Sequence, residues 1–193
     1  MHVPCDLAWF CSEVAGFRHF SYSECMDHAS DLDPYDLRIL EALQHEGRLS
    51  NVELGEKVNL SASQASRRVS RLVEMGYIRR FQAVLDPLKI GIGLTAYCMI
   101  TLKIHSEGGM GDFHRRVKAL PEILECQALT GEADYLLKIA VPDLKAFSDF
   151  LSENLMRAPE VAGIRSSIVL DSIKSGNEYA IPEPAKPQAG RGH

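Results

Sequence analysis

The sequence predicts an α+β protein in two parts: a three-helix unit towards the N-terminus, then a duplicated β-α-β pattern. Three observations carry this. Ser50 to Met75 holds two helix-start signals in quick succession, Ser50 with Glu53 and Ser61 with Gln64. From Leu94 the chain turns rich in branched and aromatic residues, in runs of strand length. Within that second half one arrangement recurs. A capping Asp (Asp112, Asp143) opens an apolar helix, which gives way to Pro-Glu and an apolar strand at Pro121-Glu122-Ile123 and Pro159-Glu160-Val161.

Residues 1–30 form an N-terminal extension with no assigned role. It holds Cys5, Cys11, Cys25, Trp9, His19 and His28. Cys and His are zinc-ligand types, but no C-x2-C or H-x3-H spacing is present, so no metal site is expected. Asp6 to Phe20 shows a short amphipathic pattern through Leu7, Phe10, Val14 and Phe17.

Residues 31–80 read as a winged helix-turn-helix. Asp33 is an N-cap, Pro34 fits the first helical position, and Asp36 favours the positive end of the helix dipole. Leu37, Leu40 and Leu43 give that helix an inward face, and Gly47 ends it. The capping boxes then place helices over Ser50–Val58 and Ser61–Met75, with only Asn59-Leu60 between them. Helices joined so tightly cross steeply, which is helix-turn-helix geometry. Val52 and Val58 point inward from the first of this pair; Ala65, Val69, Leu72 and Val73 do so from the second.

The outer face of the last helix is short, polar and cationic, as a helix entering a DNA major groove requires. Ser63, Gln64 and Arg67 are the candidates for base edges; Lys57, Arg68 and Arg71 for phosphates. Ser61 and Ser66 complete the DNA-facing set, and Arg68 has the alternative of a structural partner. From Lys57 to Arg80 there are six cations against one anion, Glu74, in a chain whose net charge is −5. The positive charge is therefore localised where duplex DNA would lie, and the acidic sum does not exclude that partner.

Tyr77 to Leu85 alternates well enough for a strand, a short wing or the start of a linker; residues 81–92 are read as that linker strand. Asp86-Pro87, Gly91 and Gly93 mark the boundary. Residues 93–175 then supply strands over Leu94–Ile104, Ile123–Thr130, Tyr135–Val141 and Val161–Ile173. One helix carries Phe113, Val117 and Leu120; the other turns Leu144, Phe147, Phe150, Leu151 and Leu155 inward. A duplicated βαβ unit makes a four-stranded antiparallel sheet with two helices on one face, the ferredoxin-like βαββαβ arrangement. Tyr97, Met99, Leu136 and Ile139 point to apolar residues on both faces of the sheet, which calls for a second copy. Residues 176–193 form a C-terminal tail, and Pro182–His193 has the composition of a disordered segment.

Hydrophobic residues make up 46% of 193, enough for real cores and against global disorder. Five irregularly spaced cysteines, no membrane-length apolar run and no signal-peptide pattern set a cytoplasmic, reducing environment as the expectation. No P-loop, G-x-G-x-x-G or nucleophile–base pair emerges, so neither an enzyme nor a cofactor is expected. The rival reading is a small-molecule-binding or catalytic ferredoxin-like protein with a vestigial helix-turn-helix. The retained Gln64, Arg67, Arg68 and Arg71 argue against it.

Taken together, several stretches resemble the Lrp/AsnC family of transcription regulators. They are L-D-P-Y-D-L-R-I-L from Leu32, L-S-A-S-Q-A-S-R-R-V-S-R-L from Leu60, and G-Y-I-R-R-F-Q-A-V-L-D-P from Gly76. E-C-Q-A-L-T-G-E-A-D-Y-L-L-K from Glu125 and V-P-D-L from Val141 follow. The resemblance covers Leu32 to about Ile181. It implies sequence-specific DNA binding, and a C-terminal domain that senses a small molecule, usually an amino acid. It also implies homodimers assembling into octamers or similar discs.

It places the effector pocket at Thr130-Gly131-Glu132-Ala133-Asp134-Tyr135, at an interface between dimers, with Leu144, Ile168 and Val169 as apolar walls. The family's loop commonly reads G-D-x-D; here Gly131 and Asp134 match, while Glu132 and Ala133 differ. On residue types alone, Gly131 permits a tight turn whose N–H groups suit a carboxylate, and Asp134 suits an ammonium group. A plain hairpin, with Asp134 bonded to its own backbone, is the alternative.

Overall fold

The computed structural model describes residues 32–103, 109–176 and 178–181. The N-terminal extension and Pro182–His193 lie outside the described residues. The chain forms two compact units. One holds the described residues up to Gln82 together with those from Gly176; the other spans Ala83–Ser175.

The first unit contains α1 (Pro34–His45), α2 (Asn51–Val58) and α3 (Ala62–Glu74). All three N-termini carry complete capping boxes. Asp33 with Asp36, Ser50 with Glu53, and Ser61 with Gln64 each exchange side-chain and backbone bonds, so the orphan donors at each helix start are satisfied. Asn59 makes the turn between α2 and α3 in the left-handed region at φ 59°, which an asparagine tolerates better than most residues. Gly55 allows the tight crossing: a Cβ there would lie 2.6 Å from the Leu60 carbonyl oxygen. That carbonyl belongs to the turn itself, so any side chain at residue 55 would push the turn away from α2.

Ile39, Leu54, Val58, Ala65 and Leu72 are fully or almost fully buried and form the core of this unit. The expected inward positions need correction at several points. Val52 is 58% and Val73 43% exposed, because the faces that pack are set by Leu54 and Val58 on α2 and by Ala65 and Leu72 on α3. On α1 the fully buried positions are Asp36 and Ile39, with Leu37, Leu40 and Leu43 only half-buried.

A polar lock fixes α1 against α3. The Arg68 guanidinium donates through Nη1 to Asp33 Oδ2 at 2.6 Å and to Asp36 Oδ1 at 2.8 Å. Asp36 is 0% exposed. A buried carboxylate is tolerated only when paired and hydrogen-bonded, and here it is both. The described part of the tail also packs on this unit. Gln44 clasps the backbone of Tyr179 at both ends, accepting from its N–H at 2.8 Å and donating to its carbonyl at 3.2 Å. His45 Nδ1 sits 3.2 Å from Glu178.

Residues 79–87 form no strand. The expected wing or linker strand over Tyr77–Leu85 is absent, and the 81–92 stretch holds a 3₁₀ turn at Leu88–Ile90 instead. The alternation of residue types was real, but a strand needs a neighbour to pair with, and none is present among the described residues. Tyr77 and Ile78 pack against the helical core rather than entering a ladder.

The second unit contains β1 (Leu94–Leu102), α4 (Gly109–Ala119), β2 (Ile123–Ala128), β3 (Tyr135–Val141), α5 (Leu144–Phe150) and β4 (Val161–Ile168). A π-helical turn at Leu151–Leu155 extends α5. The strands pair antiparallel in the order β2-β3-β1-β4, the ferredoxin-like arrangement. Helix α4 starts at Gly109, three residues before the expected Asp112, which sits in its first turn and pairs with Arg115.

One face of the sheet is sealed by the helices. Ala96, Cys98, Ile100, Leu137 and Ile139 from the strands meet Phe113, Phe147, Phe150 and Leu155. Glu160 is buried there against Arg116 at 3.0 Å. Leu144 is not inward as expected. It is 61% exposed at the first position of α5, where Asp143 caps the helix and the chain has not yet turned onto the sheet. Ile139 belongs to the sealed face, so the opposite face is less apolar than expected. There Tyr97 lies opposite Lys138 and Ser167, Met99 opposite Leu136 and Arg165, and Lys138 pairs with Glu125 at 3.0 Å.

Removing the lock should be costly. Arg68→Ala strands the buried Asp36 carboxylate and should lower stability by about 2–3 kcal/mol in chemical denaturation, whereas a loss below about 0.5 kcal/mol would show that the pair does not hold the bundle. The lock is also acid-labile. Burial works against ionisation of Asp33, but the Asp36 N–H, the Arg68 guanidinium and the Tyr35 N–H outweigh it and hold the carboxyl below its ordinary value of 3.8. A depressed carboxyl stabilises the fold above its unfolded pKa, and that contribution disappears as pH falls through the lower folded value. The thermal midpoint of the helical unit should therefore stay level down to about pH 4 as far as Asp33 is concerned and fall below it, with a shallower fall in Asp33→Asn.

Candidate functional site

Two surfaces carry the chemistry expected of this chain. The first is the outer face of α3. Ser63, Gln64, Arg67, Ser70 and Arg71 are exposed there, and Ser66 is half-buried. The face exists because Ala65 and Leu72 turn the opposite side of the helix into the core. A helix with small side chains near its N-terminus and guanidinium groups one turn further along can approach a groove floor closely and reach phosphates.

Local bonding changes what several of these residues can do. The Gln64 Oε1 accepts from Ser61 N–H at 3.0 Å and from the Ser61 hydroxyl at 2.9 Å, so its carbonyl serves the cap. Only its amide NH2 is left to read an acceptor on a base edge while the cap stays closed. Ser61 itself is the cap, and its hydroxyl also lies 3.2 Å from that of Ser63. Lys57 pairs with Glu46 at 2.8 Å, with both side chains about half exposed, so a phosphate can compete for it. Arg68 requires correction as a phosphate contact. Its guanidinium is committed to Asp33 and Asp36, and only 26% of the side chain is exposed. Arg71 is 45% exposed and touches the same Asp36 at a longer 3.4 Å.

The second surface is a cleft of about 360 Å³ on the open face of the sheet, at the end where the β2–β3 turn lies. The turn contributes Leu129, Thr130, Glu132 and Ala133. The sheet contributes Met99 and Thr101 from β1, and Gly163, Ile164 and Arg165 from β4. Gly131, at φ 126°, lets the chain reverse here. Asp134 anchors the turn to β1: its N–H donates to the Ile100 carbonyl at 2.9 Å, and its Oδ2 accepts from Leu102 N–H at 2.7 Å.

Three of the expected pocket residues therefore line the cleft, Thr130, Glu132 and Ala133. Gly131 and Asp134 shape it from behind. Asp134 does not itself line the cleft, and its Oδ2 is bonded to the Leu102 N–H at the end of β1 rather than to the turn's own backbone. Tyr135 is corrected outright. It is 5% exposed on the sealed face, with its hydroxyl 2.8 Å from His114 Nε2. Burial, with smaller contributions from Cys126 and Asp134, pushes its phenol up, so it stays neutral. Leu144 and Ile168 are exposed elsewhere, and Val169 continues the ladder by donating to Thr95; none of the three lines the cleft.

What the residue pattern missed is Arg165 with Met99, Thr101 and Leu129. Neither Arg165 nor Glu132 joins an ion pair among the described residues. A signal was present, since Arg165 is a cation inside a run otherwise made of small and apolar residues, Val161 to Leu170. Using it required knowing that β4 lies beside β1, which puts Arg165 opposite Met99. Among the described residues no group of His, Cys, Asp and Glu is placed to hold a metal ion, and no helix is long and apolar enough to cross a membrane.

Comparison with known proteins agrees with this geometry. Residues 32–79 match a winged helix-turn-helix DNA-binding domain, and residues 95–179 match the Lrp/AsnC ligand binding domain. The leucine-responsive regulatory protein of Escherichia coli K12 is 39% identical over 151 residues, covering 78% of this chain and 92% of that protein. A transcriptional regulator of Neisseria meningitidis, solved as a complex with L-Met, superposes with a TM-score of 0.74 at 40% identity, covering 76% of this chain and 94% of that one. An AsnC family regulator from Agrobacterium tumefaciens gives 0.72 at 32% identity, covering 77% and 96%. With a capped helix-turn-helix, a ferredoxin-like sheet and relatives matched over nearly their whole length, this chain belongs to the Lrp/AsnC family of transcriptional regulators.

Proposed function

We propose that this regulator reads duplex DNA with Ser63, Gln64 and Arg67 of α3, assisted at phosphates by Arg71 and Lys57. An apolar α-amino acid in the cleft modulates that binding or the protein's assembly. The single observation that carries the effector reading is the cleft's polarity. It holds one cation, Arg165, and one anion, Glu132, beside Met99 and Leu129. An α-amino acid presents a carboxylate and an ammonium a short distance apart, with a side chain that here would meet apolar walls. The L-Met complex of the Neisseria relative supports this class of ligand.

The open sheet face supports a homodimer. Tyr97 is 38% exposed, with Met99 and Leu136 half-buried beside it, and a helix-turn-helix reads two half-sites by two-fold symmetry. Dimers would then assemble further, into an octamer or a similar ring. The rival, a small-molecule-binding or catalytic ferredoxin-like protein with a vestigial helix-turn-helix, is disfavoured because both capping boxes of the α2–α3 pair are formed and Gln64 and Arg67 are exposed on α3.

Two measurements test this reading. Arg71→Ala should weaken all duplexes alike and flatten the salt dependence by about one unit, while Gln64→Ala should relax discrimination at one base pair by about 1–3 kcal/mol. Unchanged affinity and preference in both would mean that α3 does not enter the groove. For the effector, a thermal-shift screen of the protein amino acids should find an apolar one that stabilises the wild type. Calorimetry should then show its binding lost in Arg165→Ala, with effector-free DNA binding intact. Equal binding by the variant would move the site elsewhere.

A further inference from the structure

Glycine weakens the interior of a strand, because it loses more conformational freedom on folding than any other residue and packs no side chain. Gly163 nevertheless stands within β4, directly opposite Thr101 of β1. Its backbone does not require a glycine: among the described residues the glycines with positive φ are Gly76, Gly91 and Gly131. A register shift lies beside it, but Thr101 pairs with Gly163 and Leu102 with Val161, so the residue left over is Ala162. Packing does not require a glycine either. At Gly55 and Gly93 an added Cβ would lie 2.6 and 2.5 Å from a carbonyl oxygen, whereas at Gly163 it would meet no heavy atom within 4 Å beyond its chain neighbours. A strand glycine with neither reason marks a place where a ligand or another backbone comes close.

That place is the floor of the cleft. Gly163 shares the open face of the sheet with Arg165, two residues along β4 and so about 6–7 Å away. Met99 and Thr101 stand opposite this pair on β1, on the same face. Among the described residues lining the cleft Gly163 alone has no side chain, so the floor drops there into a recess.

We propose that Gly163 determines which effectors fit: the recess above it receives the far end of the effector's side chain. It thereby admits long apolar α-amino acids that a larger residue at this position would turn away. The proposal rests on the reading of the cleft as the effector site. With the carboxylate on Arg165 and the ammonium on Glu132, the side chain is what remains to be housed, and Gly163 is the stretch of floor left free for it. Each methylene placed in such a recess adds affinity, whereas filling the recess from the protein side excludes the same volume.

The test uses the full chain and the straight-chain series alanine, 2-aminobutyrate, norvaline and norleucine. Calorimetry gives Kd for the wild type, Gly163→Ala and Gly163→Val. Wild-type binding should tighten about four-fold per added methylene. Gly163→Ala should flatten the gain at the longest member, and Gly163→Val should reverse it, weakening norleucine about ten-fold relative to 2-aminobutyrate. Valine suits a strand and would face Thr101, so circular dichroism should show the fold kept; if it does not, the alanine variant decides.

A norleucine-to-aminobutyrate ratio of wild-type size in both variants would overturn the proposal alone, provided Arg165→Ala abolishes binding. If light scattering then shows a changed particle size in Gly163→Val, the recess serves contact with a second copy instead. A wild type that binds the short members best would overturn the proposal as well. Binding of the whole series by Arg165→Ala as tightly as by the wild type, or no binding by the wild type, would overturn the effector reading itself, and the proposal with it.

Discussion

A carboxylate buried without water must be matched by donors, and Asp36 is 0% exposed in the middle of a small helical unit. Its bond to Arg68 sets the rotation of α3 about its own axis, because the guanidinium reaches Asp33 and Asp36 only when that side of the helix faces α1. Once that rotation is set, Ala65 and Leu72 fall into the core, and Ser63, Gln64 and Arg67 fall outside it. The apolar contacts of this core are few, chiefly Ile39, Leu54, Val58, Ala65 and Leu72, and aliphatic packing alone tolerates some sliding. Directional bonds do not, so the polar lock specifies which face of α3 points outward more sharply than the core does.

The same economy appears at the turn between α2 and α3. The two capping boxes close each helix on its own neighbours, and Gly55 removes the side chain that would keep the turn from the helix behind it. The cost falls on Gln64. Its carbonyl serves the cap, which narrows its vocabulary at a base edge to a donor. On the proposed reading of α3, Gln64 would both cap and read, which would couple the stability of the helix start to the specificity of the protein.

In the sensing unit, the decisive asymmetry is between the two faces of one sheet. The sealed face is apolar and closed by α4 and α5, while the open face mixes Tyr97, Met99 and Leu136 with Lys138 and Arg165. A cleft forms only at the end of the open face, where Asp134 ties the β2–β3 turn to the end of β1 and the turn residues stand beside β4. Asp134 is thus the frame of the candidate effector site, and Glu132 and Arg165 are its chemistry.

Local patterns were enough to determine the starts of α1, α2, α3 and α5, the order of β1 to β4 with their two helices, and the ferredoxin-like class, since caps and apolar periodicity act over three or four residues and leave their mark in the chain itself. Ser50 with Glu53, Ser61 with Gln64, and the repeated Pro-Glu before an apolar strand could be read directly. Family resemblance pointed to the β2–β3 turn for the same reason, because that stretch is contiguous. What depended on residues far apart could not be read. Tyr77 to Leu85 alternates like a strand, but a strand exists only with a partner. Leu144 and Val52 are apolar yet exposed, because burial depends on what packs against a position. Arg68 has the same side chain as Arg67 and differs only in facing Asp33 and Asp36, 35 and 32 residues away. Arg165 enters the cleft only because β4 pairs with β1 across more than sixty residues, a proximity that tertiary structure alone creates.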